Sequence, residues 1–273
     1  MSDRLDILRS GREIPLVMGI LNVTRDSFSD GGLYLNPKDA LARAVEMVSE
    51  GADIIDIGAE STRPGAVAIS AEEELSALIP VLRSIRAKLP KTPISVDTYK
   101  PEVAEAALSE GADILNDVLL KTSSKGECEM LSLAARAGCP IVAMHNSRER
   151  TYGDFWTEFL KECGDIIKLS GSCGVDRKNI FLDPGIGFGK TADQNFEIIR
   201  RIRELGEFGV PILLGVSRKS ALVSEVGKDI VLRDYATSAV SVYSALSGAV
   251  SILRVHNVSG NVAALKVIKR ILS

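Results

Sequence analysis

One unit recurs along the chain: an amphipathic run that stops at a glycine, a short apolar stretch, and a polar exit. EGADIIDIG (50–58), EGADILNDV (110–118) and SGAVSILRVH (247–256) show it most clearly, and AGCPIVAMH (137–145), GVDRKNIFLDPG (174–185) and GVPILLGVSRKS (209–220) carry looser versions. A glycine past the last turn supplies the left-handed residue on which helices commonly stop, and a short continuous apolar run suits a strand covered on both faces. Helical spacing fills the intervals, with Leu41, Ala44, Val45 and Val48 in one and Leu75, Leu78, Ile79, Leu82 and Ile85 in the next. Strands are predicted near residues 16–21, 53–57, 93–97, 113–115, 140–144, 179–182, 211–215 and 251–255. Eight βα units in 273 residues match the size of an α/β fold of the (β/α)8 TIM-barrel type. No Pro/Gly/Ser-rich linker interrupts them, so residues 1–273 are expected to form a single domain. An open doubly wound sheet is the alternative arrangement of the same units.

Charge and cysteine usage narrow the chemistry. A net charge of -3 gives no basic stripe for a nucleic-acid backbone, and no Lys/Arg-rich amphipathic segment points to a membrane surface. The early apolar run from Ile14 to Leu21 is too short to span a bilayer and has no small-residue cleavage site behind it. Cys128, Cys139, Cys163 and Cys173 lack CxxC spacing and a local histidine partner, which argues against zinc and for free thiols in a cytoplasmic protein. Small molecules are the expected partners.

In a TIM barrel the chemistry sits just past the carboxyl ends of the strands. Those positions hold Asn22, then Glu60, Ser61, Thr62 and Arg63, then Asp97, Asn116 and Asp117. Later strands supply Met144 and His145, Asp183, Ser217, Arg218 and Lys219, and finally Arg254 and His256. A lone aspartate at a strand end is often a turn former, and Asp117 is read that way. Asp97 in SVDT and Asp183 in LDPG follow residues expected inside a barrel, where an unpaired carboxylate is costly, so both need donors. Two carboxylates, an amide and a lysine on one rim suit a flat heterocycle with alternating donors and acceptors. The exits of the last two strands, with Arg218, Lys219, Ser220, Arg254, His256 and Asn257, fall where this fold often binds phosphate, with a solvated helix start as the lesser reading of Arg218 and Lys219. DPGIGFGK (183–190) has neither the P-loop nor the dinucleotide spacing, so its glycines shape a loop. That loop presents Phe188, either an aromatic wall for a planar substrate or a plug against the next helix.

In order, MGILNVTRDSFSDGG, GADIIDIGAESTRPG, SVDTYKPEVAEAAL, GADILNDV, VAMH, DPGIGFGK, GVSRKS and RVHNV span nearly the whole chain, which on these motifs resembles the dihydropteroate synthases of the pterin-binding family. The resemblance implies a TIM barrel that joins 6-hydroxymethyl-7,8-dihydropterin diphosphate to 4-aminobenzoate, releasing pyrophosphate with Mg²⁺ assistance. Carried over by position, it implies that Asp97, Asn116, Asp183 and Lys219 bind the pterin, with Met144 lining its pocket. Asn22 would sit by the metal and diphosphate; Arg63, Arg254 and His256 would hold the diphosphate; Thr62, Pro64, Phe188 and Ser220 would surround aminobenzoate or a sulfonamide mimicking it. NVTRDSFSDGG (22–32) and ESTRPG (60–65) correspond to family loops that close over the intermediate. The resemblance also implies a homodimer with late barrel helices at its interface; the small-residue-rich helix at 232–247 fits either that contact or close packing in the barrel shell.

Three positions depart from the family's pattern: Arg25 stands for a proline, Ala59 for a second glycine and Asn257 for an aspartate. They bear on loop closure, aminobenzoate affinity and sulfonamide sensitivity, and leave the pterin residues intact. The alternatives are a methyltetrahydrofolate:corrinoid methyltransferase, which shares the barrel, and a pterin-binding paralogue without synthase activity. RDSFSDGG and SRKS argue against the methyltransferase, since methyl transfer has no diphosphate to hold.

Overall fold

The computed structural model describes residues 2–9, 13–23, 36–61, 66–124, 126–147 and 151–273. Eight parallel strands form a closed barrel in sequential order, β1 (Leu16–Asn22), β2 (Ile54–Gly58), β3 (Ile94–Asp97), β4 (Ile114–Asp117), β5 (Ile141–Met144), β6 (Ile180–Asp183), β7 (Ile212–Leu214) and β8 (Val250–Val255). Because β1 pairs with both β2 and β8, the sheet has no edge, and the doubly wound alternative is excluded. The outer helices are α1 (Pro37–Glu50), α2 (Ala71–Lys88), α3 (Pro101–Ser109), α4 (Glu129–Ala137), α5 (Phe155–Ser172), α6 (Ala192–Arg200), α7 (Ile230–Ser247) and α8 (Val258–Leu272).

Local signals explain where these helices begin and end. Asn36 caps α1 ahead of Pro37, and Gly51 closes it in the left-handed region. Capping boxes start α2 (Ser70 with Glu73) and α6 (Thr191 with Gln194). The buried face of α1 is Ala40, Ala44 and Met47, with Leu41 and Val48 only partly buried, so it is rotated from the predicted face. Small residues let the helix approach the strands while the longer ones fill its flanks.

The repeated GAD motif has a physical cause. Asp53 Oδ2 accepts a hydrogen bond from the Val17 N–H at 2.9 Å, and Asp113 Oδ2 accepts one from the Ile94 N–H at 3.0 Å. Each aspartate thus satisfies an amide at the start of a neighbouring strand. Asp113 also pairs with Arg4 and Arg86 at this amino end of the barrel, where such contacts serve stability.

Side chains alternate along each strand, and register decides which layers form inside the barrel. Leu16, Met18, Ile54, Ile114, Val142, Phe181, Leu213 and Ile252 make the apolar layers, closed from below by Leu5 of the short helix Ser2–Leu5. The register then aligns Ile20 with Asp56 and Ser95, and Asn22 with Gly58, Asp97 and Asn116. Above an apolar floor, the same inward parity therefore produces a polar mouth.

Candidate active site

The mouth is organised around one guanidinium between two carboxylates. Arg254 of β8 donates through Nε to Asp56 Oδ2 and through Nη2 to Asp97 Oδ2, each at 2.6 Å, and Asn116 Nδ2 donates to Asp56 Oδ2 at 3.3 Å. Burial opposes the Arg254 charge, but Asp56 and Asp97 outweigh it and raise its pKa. Burial pushes the Asp97 carboxyl up to about 7; Arg254 opposes that rise, and Asp56 adds to it. Asp97 Oδ1 and Asn116 Oδ1 remain buried acceptors with no hydrogen-bond partner among the described residues. Gly58 makes this arrangement possible, because a Cβ there would lie 3.3 Å from the Asp97 Cβ.

Asp183 and Lys219 face the same space from β6 and the exit of β7. Asp183 Oδ1 accepts from the Gly185 N–H at 2.7 Å, and burial raises its pKa against the pull of Lys219 and that amide. Burial lowers the Lys219 ammonium to about 8, with Asp183 opposing the fall. The ammonium lies 4.7 Å from the Phe188 ring centre, so Phe188 is a wall beside this lysine. Gly187, at φ +81°, brings backbone against the lysine stem: a Cβ there would meet Lys219 Cδ at 3.3 Å.

Arg218, adjacent to Lys219, takes a different direction from the phosphate role considered for it. It adopts φ +56° and forms a bidentate pair with Asp234 of α7, Nε to Oδ1 at 2.7 Å and Nη2 to Oδ2 at 2.8 Å. Arg233 Nη1 donates to its carbonyl at 3.0 Å. Left-handed backbone is unfavourable for a non-glycine residue by about 1–3 kcal/mol, and these contacts hold it while Lys219 is aimed inward. Asn257 joins the clamp, donating through Nδ2 to Asp234 Oδ2 at 3.3 Å while its Oδ1 accepts from the Gly260 N–H of α8. An aspartate would keep that cap but set a second carboxylate against Asp234.

The remaining predicted residues divide. Asn22 ends β1 half-buried, and Met144 is buried at the end of β5 with Asp183 as its register neighbour. His256 is fixed by Ser217, whose Oγ lies 3.0 Å from Nδ1 and accepts from the His256 N–H at 3.1 Å. Ser220 is exposed at the turn after Lys219. Asp117 is the turn former expected, its Oδ1 accepting from the amides of Leu119 and Leu120. His145 leaves the rim: next to inward Met144, it turns outward to Glu162 of α5, with Nε2 at 2.6 Å from Oε2. Thr62, Arg63, Pro64 and Arg25 lie outside the described residues. Ala59 is buried in the core between strands and helices, which takes up its extra methyl.

Asp56 is the principal residue the sequence reading missed. Its signal was an acid at the centre of the apolar run IIDIG, two residues before Gly58 and so on the same inward parity. Also missed was Lys100, which pairs with Glu60 and, at 2.6 Å, with buried Glu74. Tyr99 donates to Glu60 Oε1 at 2.8 Å, so the residue leading into 62–65 is tied to α2 and the start of α3. A cavity of about 970 Å³ opens beside Met144, lined also by Leu119, Leu120, His145, Glu162 and Ile166. We place the chemistry in the barrel mouth, because that is where the charged groups and unpartnered acceptors converge.

The sequence model of the family described as pterin binding enzyme matches residues 18–256. The chain is 49% identical to the dihydropteroate synthase of Bacillus subtilis (strain 168) over 210 residues, which cover 77% of this chain and 72% of that protein. A Xanthomonas albilineans dihydropteroate synthase solved with 4-aminobenzoic acid superposes with a TM-score of 0.87 at 38% identity, covering 95% of this chain and 94% of the other. A Yersinia pestis dihydropteroate synthase solved as a sulfonamide drug complex gives 0.87 at 36% identity, with the same coverage.

Proposed function

The chain belongs to the pterin-binding enzyme family and, within it, to the dihydropteroate synthases, and on that premise we propose how its barrel mouth joins 6-hydroxymethyl-7,8-dihydropterin diphosphate to 4-aminobenzoate. The observation that carries the proposal is the pair of buried acceptors Asp97 Oδ1 and Asn116 Oδ1, unpartnered among the described residues, in a mouth that also holds Asp183 and the Lys219 ammonium. A pterin edge presents N–H donors and ring acceptors in one plane, which these groups can match with little reorganisation. Met144 lines the floor and Phe188 one wall.

In the reaction, the C–O bond at the pterin methylene breaks and pyrophosphate leaves with the electron pair. The cationic methylene that remains is stabilised by Asp97 and Asp183. The aromatic amine, neutral and already nucleophilic, then forms the C–N bond, and the acidic anilinium so made gives its proton to solvent water, so no strong base is needed. Arg63, Arg254 and His256 are assigned to the diphosphate, and Thr62, Pro64, Phe188 and Ser220 to aminobenzoate and to sulfonamides that mimic it. Arg254 is engaged by Asp56 and Asp97 through Nε and Nη2, which leaves N–H donors of the same guanidinium for a diphosphate oxygen.

Mg²⁺ fits as an ion that arrives with the diphosphate. Asn22, at the inward-facing end of β1, offers one amide oxygen, and an amide oxygen together with phosphate and water oxygens is a donor set that Mg²⁺ accepts. When bound, the ion neutralises charge on the leaving group.

The assembly proposed is a homodimer. Val231, Leu232, Tyr235, Tyr243 and Leu246 of α7 and Val267 of α8 are exposed large hydrophobics, a patch that a second copy would cover through a two-fold contact. Among the described residues no helix is long and apolar enough to cross a membrane, and the four free cysteines fit the proposed cytoplasmic setting.

Incubating the purified protein with the pterin diphosphate and Mg²⁺, with and without 4-aminobenzoate, tests the activity. Pyrophosphate release matched by dihydropteroate is expected; tight pterin binding without aminobenzoate-dependent product would favour the paralogue instead.

A further inference from the structure

We propose that Lys190 is a positioning residue of the pterin site, whose ammonium, held by three backbone carbonyls, fixes the loop between β6 and α6 in the shape that seats Lys219 and Asp183. This rests on the synthase reading above.

Lys190 reaches back across its own loop. Its Nζ donates to Gly185 O at 2.9 Å, to Phe188 O at 3.2 Å and to His145 O at 3.3 Å. The first two carbonyls belong to the loop and the third to the exit of β5, so one cation ties the loop to the neighbouring strand. Around it lie Asp183, Cys163, Lys219 and the Phe159 ring, 6.0 Å from the ammonium. Burial lowers the Lys190 ammonium to about 7, with Asp183 opposing the fall; the convergent carbonyl dipoles reduce that desolvation penalty only when the loop is correctly folded.

The loop's other fixed points are its glycines and the side chains of Asn195 and Ser147. Gly185 sits at φ +68° so close to β5 that a Cβ would lie 1.9 Å from His145 O, which excludes any other residue. Asn195 of α6 accepts from the Gly187 N–H at 2.7 Å, and Ser147 Oγ donates to Phe188 O at 3.2 Å. Between those anchors, Gly187 leaves the space that the Lys219 stem occupies and the Phe188 ring lies 4.7 Å from its ammonium, while Gly185 donates to Asp183. Releasing Lys190 therefore frees the surface against which both pterin ligands are aimed, without touching the substrate directly.

The test compares Lys190→Met with Cys163→Ala, which perturbs the same buried neighbourhood but no loop contact. Titration with 6-hydroxymethylpterin and steady-state kinetics for each substrate are read together with thermal melting. For Lys190→Met, the pterin dissociation constant and the KM for pterin diphosphate are expected to rise about tenfold or more, while the aminobenzoate KM moves less than about threefold. Cys163→Ala is expected to lower the melting temperature and keep pterin affinity within about twofold. Parent-like pterin affinity in a folded Lys190→Met, or equal losses in both variants, overturns the proposal. Should Lys190→Met not fold, Lys190→Arg keeps the charge but cannot reach all three carbonyls, and the same selective loss is expected; parent-like affinity there overturns it too. The parent protein is assayed first, so that its failure to make dihydropteroate is scored against the synthase reading and not against Lys190.

Discussion

Asp97 shows how single residues are set for this site. Its carboxyl is pushed up to about 7 by burial, while Lys219 is lowered to about 8, also by burial. In the proposed mechanism Asp97 serves as an anion and so must lose its proton, while Lys219 serves as a cation and must keep its own. For the free enzyme, kcat/KM is therefore expected to rise with pH through about 7 and to fall above about 8, a narrow bell that a pH–rate profile would reveal. Asp56 contributes to the rise of Asp97. Asp56→Asn removes that like charge and leaves Arg254 more fully to Asp97, so the acidic limb is expected to move below its parent position, at the cost of a looser Arg254. An unmoved limb would mean that Asp56 is not coupled to Asp97. The strand-end residues were legible because the fold fixes where chemistry must sit. Asp56 was hidden inside an apolar run, and its inward direction depends on a register that only the closed barrel defines.

At the scale of elements, the exit of β7 is held by its neighbours more than by its own sequence. Arg218 is left-handed because Asp234, Arg233 and Thr237 of α7 hold it there, and nothing local in SRKS announces that. Asp234→Ala removes one partner of a largely buried pair and is expected to destabilise the fold by about 3 kcal/mol, measured by chemical denaturation. It should also raise the KM for pterin diphosphate through Lys219; an unchanged KM would separate the clamp from the site. Strands were readable to within one or two residues, since a short apolar run after a helix-stopping glycine has few other uses. Helix faces were less readable: α1 turns Ala40, Ala44 and Met47 inward, because close approach to the strands favours small residues over the larger apolar ones.

For the whole molecule, alternating units imply the barrel, and closure between β1 and β8 turns eight strand ends into one rim. What lies outside the rim is written in exposure instead of spacing. Tyr235 is 68% exposed on α7 and Leu246 is 54% exposed, so Tyr235→Glu with Leu246→Glu is expected to shift a dimer towards monomer in sedimentation while each barrel stays folded. A parent that sediments as a monomer would remove the proposed interface. Synthase chemistry in this barrel depends on the polar mouth, and the measurement that reaches it most directly is turnover of pterin diphosphate and aminobenzoate by the parent beside Asp97→Ala and Lys219→Ala. The parent should release pyrophosphate in step with dihydropteroate, and both folded variants should lose turnover by about a hundredfold or more. Near-parent rates in either folded variant would contradict the placement of the chemistry in the barrel mouth.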